Sequence, residues 1–308
     1  MDPAPACCPS KTGACRVVGR VFGGLPMPVS RRLIASILSA PLLIAACGGS
    51  SSSLSSSSSE HMSPMASGEA MMMQPGAASM QVDILSPADG AVVTGNIVGV
   101  QVQATGFTNT CNGAGTKDVA GFGHYHIELD KSLVNMFCTS AAALISMQNV
   151  KLGKHTLTVI PAQNDHSEIT ANAKSITFDY EPTNPLPAIT DATFSGPKSI
   201  KILSPAAGSV LKGAFDVTVQ VTNFNLSCDL FGKPDVAGYG HWHLNVDSDM
   251  GAMMGMGTML AMNCTQTFHA TTAGMTPGQH TLIALLVDNG HVPFNPDVNA
   301  QVAVTVAS

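Results

Sequence analysis

The chain has 308 residues, of which 11% are charged and 45% hydrophobic, and a formal net charge of −6 at pH 7. This length predicts about two domains, and the aromatic content of 5% does not suggest one large enzyme core. Because five of the 14 basic residues lie before residue 33, the remainder is acidic. An acidic chain without a basic stripe argues against nucleic acid as a partner.

Residues 1–46 are predicted to contain an export signal. Two arginines after Met27 precede the apolar run 33–46, which is too short to span a bilayer as a helix, since that takes about 20 residues. We interpret Met27 as the true start, because the residues before it fit no part of a signal. The run ends in Ile-Ala-Ala-Cys, which resembles the lipobox of bacterial lipoproteins. That resemblance implies a lipid on Cys47, with a plain secretory signal as the alternative.

The next segment, residues 47–80, is predicted to be a disordered tether. Nine of the ten residues from 50 to 59 are serine, so this stretch cannot bury enough apolar surface to fold. Methionines are frequent in the rest of the segment. We therefore expect a flexible spacer that joins a lipid anchor to folded domains in the bacterial cell envelope. The expected location is the outer membrane, facing the periplasm or the cell surface.

The remaining chain is a duplication. Residues 118–126 (DVAGFGHYH) recur as 235–243 (DVAGYGHWH), with seven of nine positions identical. The motif GKHTL at 153–157 recurs as GQHTL at 278–282. Two copies of this length predict tandem domains, because a solenoid needs shorter and more numerous repeats.

The duplication sets the domain boundaries. We assign repeat 1 to residues 81–182, a Pro-rich linker to 183–198 and repeat 2 to 199–308. Apolar and polar residues alternate within each repeat, as in 98–103 and 215–222, which is typical of half-buried antiparallel strands. The predicted fold is therefore all-β, with two tandem immunoglobulin-like β-sandwich domains. Within repeat 1, Ser140–Gln148 suggests a short helix.

Four cysteines lie at corresponding places in the two repeats. They allow three pairings, and one bridge within each repeat is the simplest in an oxidising compartment. The expected bridges are Cys111–Cys138 and Cys228–Cys264. A copper-ligating thiolate is the alternative, because Cys264, His269 and Met275 faintly resemble the ligand loop of blue-copper proteins.

Eight of the ten histidines recur as four pairs, and all eight are candidate metal ligands: His124/His241, His126/His243, His155/His280 and His166/His291. In a strand, both histidines of a His-x-His motif share one face, while Tyr125 or Trp242 points to the apolar face. We therefore expect the imidazoles to point outward, where two neutral rings can chelate one ion. Whether the third and fourth pairs reach that face stays open. The alternative is that these histidines are solvated or hydrogen-bonded turn residues.

Repeat 2 carries a methionine-rich insertion. Thioethers are soft ligands that favour Cu(I), so the metal we predict is copper, with zinc as the alternative. The other interpretation is adaptable packing of a glycine-rich loop, since methionine fills irregular gaps. The soft-metal candidates are Met250, Met253, Met254, Met256, Met259 and Met262.

The sequence motifs also resemble a known family. Gly-His-x-His, then Gly-x-His-Thr-Leu, then DNGHVP at 288–293 resemble a small exported bacterial His-rich domain of unknown function. The resemblance covers most of 199–308 and, less completely, 83–180. It implies a periplasmic or surface β-sandwich and supplies no established activity. The His-x-His motif is also similar to that of copper–zinc superoxide dismutase, whose other ligand segments are not recognisable.

These observations predict a lipid-anchored exported metal-binding protein that buffers or delivers copper, and more a binder than an enzyme. No catalytic residues are proposed, because no Ser-His-Asp, paired-carboxylate, P-loop or dinucleotide motif is present. The expected partner is the membrane, through the lipid, and a protein partner is unknown. One alternative is a surface or adhesion module without metal, and another is a dismutase-like redox enzyme.

Overall fold

The computed structural model describes residues 77–138, 142–250 and 256–308. The predicted signal, Cys47 and most of the predicted tether lie outside these ranges, as do Met253 and Met254. Within the ranges, no helix is long and apolar enough to cross a membrane.

The described residues of each repeat form nine strands in the same order. Repeat 1 contains β1 (Gln81–Ser86), β2 (Ala91–Val93), β3 (Ile97–Thr105), β4 (Thr108–Asn109), β5 (Phe122–Leu129), β6 (Ser132–Phe137), β7 (Ala142–Ser146), β8 (Gly153–Ala162) and β9 (Lys174–Tyr180). Repeat 2 contains β10 (Ser199–Ser204), β11 (Val210–Leu211), β12 (Ala214–Thr222), β13 (Asn225–Leu226), β14 (Tyr239–Val246), β15 (Met259–Asn263), β16 (Thr267–Thr271), β17 (Gly278–Val287) and β18 (Asn299–Val306). Short 3-10 helices lie at Ala77–Ser79 and Thr170–Asn172.

Each repeat is a sandwich of two sheets. In repeat 1, the sheet β1-β3-β7 faces the sheet β2-β9-β8-β5-β4, and β6 also pairs with β5. In repeat 2, the sheet β10-β12-β16 faces β11-β18-β17-β14-β13, and β15 also pairs with β14. The strands correspond one to one, so the duplication extends to the topology. The predicted fold class, two tandem β-sandwich domains, is confirmed.

The core of each repeat lies between its two sheets. Side chains alternate along the strands, so that Val98 and Val100 of β3 are buried while Gly99 and Gln101 are exposed. Trp242 of β14 is fully buried in repeat 2, and its indole Nε1 donates to the Thr265 carbonyl at 2.8 Å. The polar atom of this large apolar side chain is thereby satisfied.

Two predictions of local structure are wrong. Residues 142–146 form strand β7 instead of a helix, because their alternating side chains pack on the core as β7 pairs with β3. The folded part of the chain also starts earlier than the predicted end of the tether. Met80 is 2% exposed and packs with Ala77 and Ile169, so apolar contacts hold residues 77–80 against repeat 1.

A disulfide bond lies within each repeat. Cys111 is bonded to Cys138 and Cys228 to Cys264, each with a Cα–Cα distance of 5.1 Å. These bonds indicate an extracytoplasmic location, because the cytosol keeps thiols reduced. They also make the blue-copper alternative wrong, since Cys264 offers no thiolate and the exposed His269 pairs with Asp216.

Candidate metal centre

Strands β5 and β14 position the His-x-His motifs. Each is a central strand, with β5 paired to β8 on one side and to β4 and β6 on the other. Because side chains alternate along a strand, His124 and His126 share the face opposite to the buried Tyr125. The same alternation places His241 and His243 opposite to Trp242.

A tight turn after β8 brings a third histidine to the pair. His124 lies opposite Ala162 in the β5–β8 ladder, and the chain then turns back so that Ala162 pairs with Glu168. His166 lies in this turn with a φ of 64°, a left-handed conformation that costs free energy in a residue with a side chain. Its amide donates to the Gln163 carbonyl at 3.0 Å, which helps to hold the turn. His291 repeats this conformation after β17 with a φ of 69°.

We call His124, His126 and His166 site 1. The Nε2 atom of His124 lies 3.1 Å from Nε2 of His126 and 2.9 Å from Nδ1 of His166. The remaining separation, from His126 Nε2 to His166 Nδ1, is 3.2 Å. Three nitrogens bound to one tetrahedral metal ion at about 2.0–2.1 Å would lie about 3.3 Å apart. The observed spacing is therefore close to that of a three-histidine metal site.

We call His241, His243 and His291 site 2. The Nε2 atom of His241 lies 3.1 Å from Nε2 of His243 and 2.9 Å from Nδ1 of His291. The third separation, from His243 Nε2 to His291 Nδ1, is 3.4 Å. The two sites thus use the same ring nitrogens at nearly the same distances.

Outer hydrogen bonds fix the orientation of two rings in site 1. His126 Nδ1 donates to Oε1 of Glu168 at 2.7 Å, and His166 Nε2 donates to the carbonyl of Met259 at 2.7 Å. A neutral imidazole that donates from its outer nitrogen carries a lone pair on the inner one. The lone pairs of His126 and His166 thus converge with His124 Nε2, where either a proton on that nitrogen or a bound cation can lie between them. Site 1 can therefore receive a cation in place of that proton.

Site 2 shares one of these outer bonds and lacks the other. His291 Nε2 donates to the carbonyl of Leu133 at 2.8 Å, which directs its Nδ1 lone pair inward. The position of Glu168 is occupied by Pro293, which pairs with Val287 as Glu168 pairs with Ala162. His243 consequently has no carboxylate in the place that Glu168 takes beside His126.

Both triads are buried, which corrects the expectation that these rings point outward to solvent. His124, His126, His166 and His241 are at most 1% exposed. Burial lowers the pKa of His166 and of His243 to about 3, and a neighbouring imidazole adds to each shift. Burial also lowers the pKa of His124, His241 and His291. These rings are neutral at pH 7, the form that binds a metal ion.

The cover over each triad is the other repeat. Leu133 of β6 lies opposite Glu128, and Met259 of β15 lies opposite Asn245, the counterpart of Glu128. The carbonyls that accept from His166 and His291 therefore belong to equivalent residues of opposite repeats. The third histidine of each site thus donates a hydrogen bond to the repeat that does not contain it.

Two glycines allow this close approach. A Cβ atom on Gly232 would lie 2.2 Å from the carbonyl oxygen of Leu133, and one on Gly115 would lie 2.5 Å from that of Met259. Both glycines have a positive φ, 63° and 72°, which side chains disfavour. The same carbonyls accept from the third histidines, so the glycines and the histidine sites belong to one interface.

His155 and His280 do not join the triads, which corrects their assignment as ligands. His155 donates from Nδ1 to Asp130 at 2.7 Å and from Nε2 to the Lys151 carbonyl at 2.8 Å. His280 makes the same bonds to Asp247 and to the Thr276 carbonyl, each at 2.7 Å. These bonds tie the turn after β5, or after β14, to the start of the next long strand. We call each set of bonds a clamp and His155 and His280 the clamp histidines.

The pKa of His280 reflects this clamp. Partial burial alone would lower the pKa, but the hydrogen bonds to Asp247 and to the Thr276 carbonyl outweigh it and raise the pKa above its usual value. This is the opposite direction to the lowered pKa of His241, His243 and His291 in the same repeat. The clamp therefore favours the imidazolium, which is a poor metal ligand.

Of the six methionines predicted as soft-metal ligands, the structure places three beside site 2. Met256, Met259 and Met262 line a cavity of about 330 Å³ together with His243 and His291. Met250 is 70% exposed, and Met253 and Met254 lie outside the described residues.

Sequence reasoning missed two residues beside site 1. Glu168 follows His166 by two positions, and no repeated pattern marks it, because Pro293 replaces it in the copy. Met136 lines a cavity of about 140 Å³ with His124 and His166. The duplication could have revealed Met136, since Met136 and Met262 each stand two residues before a disulfide cysteine.

A protein-family model matches most of repeat 2. Residues 217–307 match the family described as a domain of unknown function, DUF4399. This agrees with the predicted resemblance of repeat 2 to a domain of unknown function. No curated protein matches the chain.

Solved structures show distant similarity. The fibronectin(III)-like modules of CbhA from Clostridium thermocellum are 11% identical over 74% of this chain and 94% of theirs, with a TM-score of 0.23. The endo-beta-1,4-mannanase from Thermotoga petrophila is 13% identical over 37% of this chain and 21% of its own, with a TM-score of 0.23. The four N-terminal Ig domains of Dscam1 isoform 6.9 are 10% identical over 74% of this chain and 46% of theirs, with a TM-score of 0.20. These values carry no argument about function.

Proposed function

We propose that this chain is an exported metal-binding protein that holds one transition-metal ion in each histidine triad, with copper as its physiological ion. The observation that carries the proposal is the spacing of the buried ring nitrogens, 2.9–3.2 Å in site 1 and 2.9–3.4 Å in site 2. Neutral imidazole is a suitable ligand for Cu, Zn, Ni and Fe. Burial lowers the pKa of His124, His166, His241, His243 and His291, so these rings are neutral at pH 7 and ready to bind.

Copper is favoured over zinc by the surroundings of the sites. Methionines 256, 259 and 262 line the cavity that borders His243 and His291, and thioethers favour Cu(I) over harder ions. Sites that bind both oxidation states suit buffering or delivery of copper. Zinc binding without copper preference would reduce the proposal to a general metal-binding protein.

The proposed place of action is the cell envelope, with the mature chain anchored by a lipid on Cys47. The two disulfides support export, and the lipobox-like sequence before Cys47 supports the anchor. Replacement of Cys47 by Ala should move the protein from the membrane fraction to the soluble periplasmic fraction or leave it unprocessed. Unchanged membrane partitioning of that variant would contradict the anchor.

The metal sites are tested by counting bound ions in the full chain, purified without a histidine tag. Native mass spectrometry should find two Cu(II) or Zn(II) ions in the wild type. The pair His124→Asn with His126→Asn should leave one ion, and so should His241→Asn with His243→Asn. His269→Asn is the matched control, because His269 is exposed and pairs with Asp216 instead of with a triad residue. This variant should keep two ions.

A spectroscopic measurement makes the test independent of variants that fail to fold. Electron paramagnetic resonance of the Cu(II)-loaded wild type should show hyperfine coupling to imidazole nitrogens. If the wild type binds no metal and its melting temperature does not change with copper or zinc, the metal-binding proposal fails. The alternative of a surface or adhesion module would then be favoured.

A further inference from the structure

Each His-x-His motif faces a methionine on the neighbouring strand. His126 of β5 lies opposite Met136 of β6, and His243 of β14 lies opposite Met262 of β15. Directly opposed residues in antiparallel strands point to the same face, with their Cβ atoms about 4.5–5.5 Å apart. The two thioethers therefore lie on the histidine faces of their sheets.

These methionines line cavities that also border the triads. Met136 lines the 140 Å³ cavity with His124 and His166. Met262 lines the 330 Å³ cavity with His243 and His291, and it also contributes to the smaller cavity. A ligand that completes a three-histidine site has to approach from such a cavity.

The position of both methionines is retained and fixed in the duplicated fold. Each lies two residues before the cysteine, Cys138 or Cys264, that pins the end of its strand through a disulfide. Other residues around the triads have diverged between the repeats, such as Glu168 against Pro293. Methionine at this place has not diverged.

We propose that Met136 and Met262 each supply a fourth, thioether ligand to the adjacent histidine triad, so that both sites hold Cu(I). This inference rests on the proposed function and names the ligand set of the same sites. Binding is the only step involved, and copper enters as Cu(I) without a change of oxidation state. A thioether completes the coordination of Cu(I) and contributes little to Zn(II), which is a harder ion.

The test compares Cu(I) and Zn(II) affinity in the full chain. Cu(I) is measured without oxygen by competition with a chromophoric Cu(I) chelator, and Zn(II) by a Zn(II) chelator. Met136→Leu with Met262→Leu should lower Cu(I) affinity by at least the roughly 10- to 100-fold that loss of an outer-shell partner costs. Zn(II) affinity should stay unchanged. Leucine is a near-isosteric replacement, so folding should survive.

The matched control replaces methionines of the two cores. Met147 is buried in the core of repeat 1, and Met275 packs on the core of repeat 2. Met147→Leu with Met275→Leu should leave the affinity for both ions unchanged. X-ray absorption at the copper edge should show a sulfur neighbour in the Cu(I)-loaded wild type and in this control, and none in the Met136/Met262 variant.

The outcomes separate this inference from the proposed function. Equal Cu(I) affinity in the wild type and the Met136/Met262 variant, with only nitrogen neighbours at copper, overturns the thioether ligands and leaves the metal sites standing. A parallel loss of Zn(II) affinity also overturns it, because that would show a packing role. A wild type that binds neither ion overturns both proposals.

Discussion

Sites 1 and 2 have the same three ring nitrogens and differ in what holds one of the rings. Both have three buried ring nitrogens, a third histidine with positive φ and an accepting carbonyl from the opposite repeat. Only His126 has a carboxylate on its outer nitrogen, because Glu168 stands where the copy has Pro293. An outer carboxylate orients a histidine and raises its basicity as a ligand. We therefore expect site 1 to hold its ion more tightly, while site 2 exchanges its ion with the methionine-lined cavity.

The two sites also influence each other electrostatically. Protonation of His166 in site 1 would oppose protonation of His243 in site 2, which adds to burial and to the neighbouring His291 in lowering the pKa of His243. A metal ion in one site would add charge in the same place. Sites 1 and 2 therefore lie in one interface and interact, and the following changes test what they share and where they differ.

Lowering the pH tests the burial that the two triads share, and it should have the largest effect on the free energy of unfolding. His166 and His243 have a pKa of about 3 when folded, against about 6.5 in an unfolded chain. As the pH falls below 6.5, the unfolded chain takes up protons that the folded chain does not. The free energy of unfolding of the metal-free protein should therefore fall by roughly 1 kcal/mol per pH unit for each such histidine. Urea denaturation between pH 7.5 and pH 5 measures this loss.

The clamp histidine provides an internal contrast. Because the pKa of His280 is raised, its contribution to stability is complete below pH 6.5 and is lost as the pH rises through its folded pKa. It cannot account for a loss in acid. Stability that stays constant from pH 7.5 to pH 5 would show that the triad rings are not buried in solution.

Replacement of an interface glycine tests whether each site depends on the other repeat. Gly232→Ala forces a Cβ against the Leu133 carbonyl, so the backbone has to move and the bond to His291 is strained. We expect a loss of about 3 kcal/mol in the free energy of unfolding, from overpacking and a disfavoured φ. Site 2 should also bind its ion more weakly. Denaturation and metal titration measure the two effects.

The control for this change is Gly208→Ala in the same repeat. Gly208 has a similar positive φ of 78°, and nothing lies within 4 Å of a Cβ built on it. It should cost only about 1 kcal/mol, from the backbone conformation, and metal binding should not change. Equal effects of both alanines would mean that the repeats do not pack in this way.

The carboxylate beside site 1 tests the difference between the sites and should have the smallest effect. Glu168→Gln keeps a hydrogen-bond acceptor but removes the charge that faces His126. We expect roughly 10- to 100-fold weaker metal binding at site 1 and a smaller decrease at site 2, because Glu168 also lines the cavity beside His243 and His291. Pro293→Glu should strengthen site 2 by giving His243 the carboxylate that it lacks. Stepwise titration with Cu(II) resolves the two affinities.

An exposed acidic residue serves as the control. Glu181→Gln removes the same charge away from both triads and should leave both affinities unchanged. An equal decrease at both sites in Glu168→Gln would show that the carboxylate acts through the net charge of the interface. Its role in orienting one ring would then be rejected.

The sequence by itself determined the features that depend on local periodicity and on the duplication. Alternation predicted the strands, the buried Trp242 and the shared face of His241 and His243. The placement of cysteines at corresponding positions favoured one bridge in each repeat, as the structure has them. These features follow from a period of two residues along a strand, which neighbouring residues alone define.

Only the tertiary structure decided which distant histidine joins each pair. His155 and His166 recur equally in the sequence, but β8 runs antiparallel to β5, so that Leu157 lies opposite Leu129 and Ala162 opposite His124. His155, at the start of β8, is therefore about five residues from His126 along the sheet, or roughly 17 Å at 3.4 Å per residue. His166 follows the far end of β8 and turns back over the pair.

The burial of the triads was likewise decided by packing between the repeats. Alternation places an imidazole on the face away from its own core but does not indicate what covers that face. The cover comes from the other repeat, through Gly115 and Gly232 and the carbonyls of Met259 and Leu133. Those contacts join residues that are 93 and 158 positions apart in the chain. Such contacts depend on how two folded sheets fit together, which no pattern within one strand encodes.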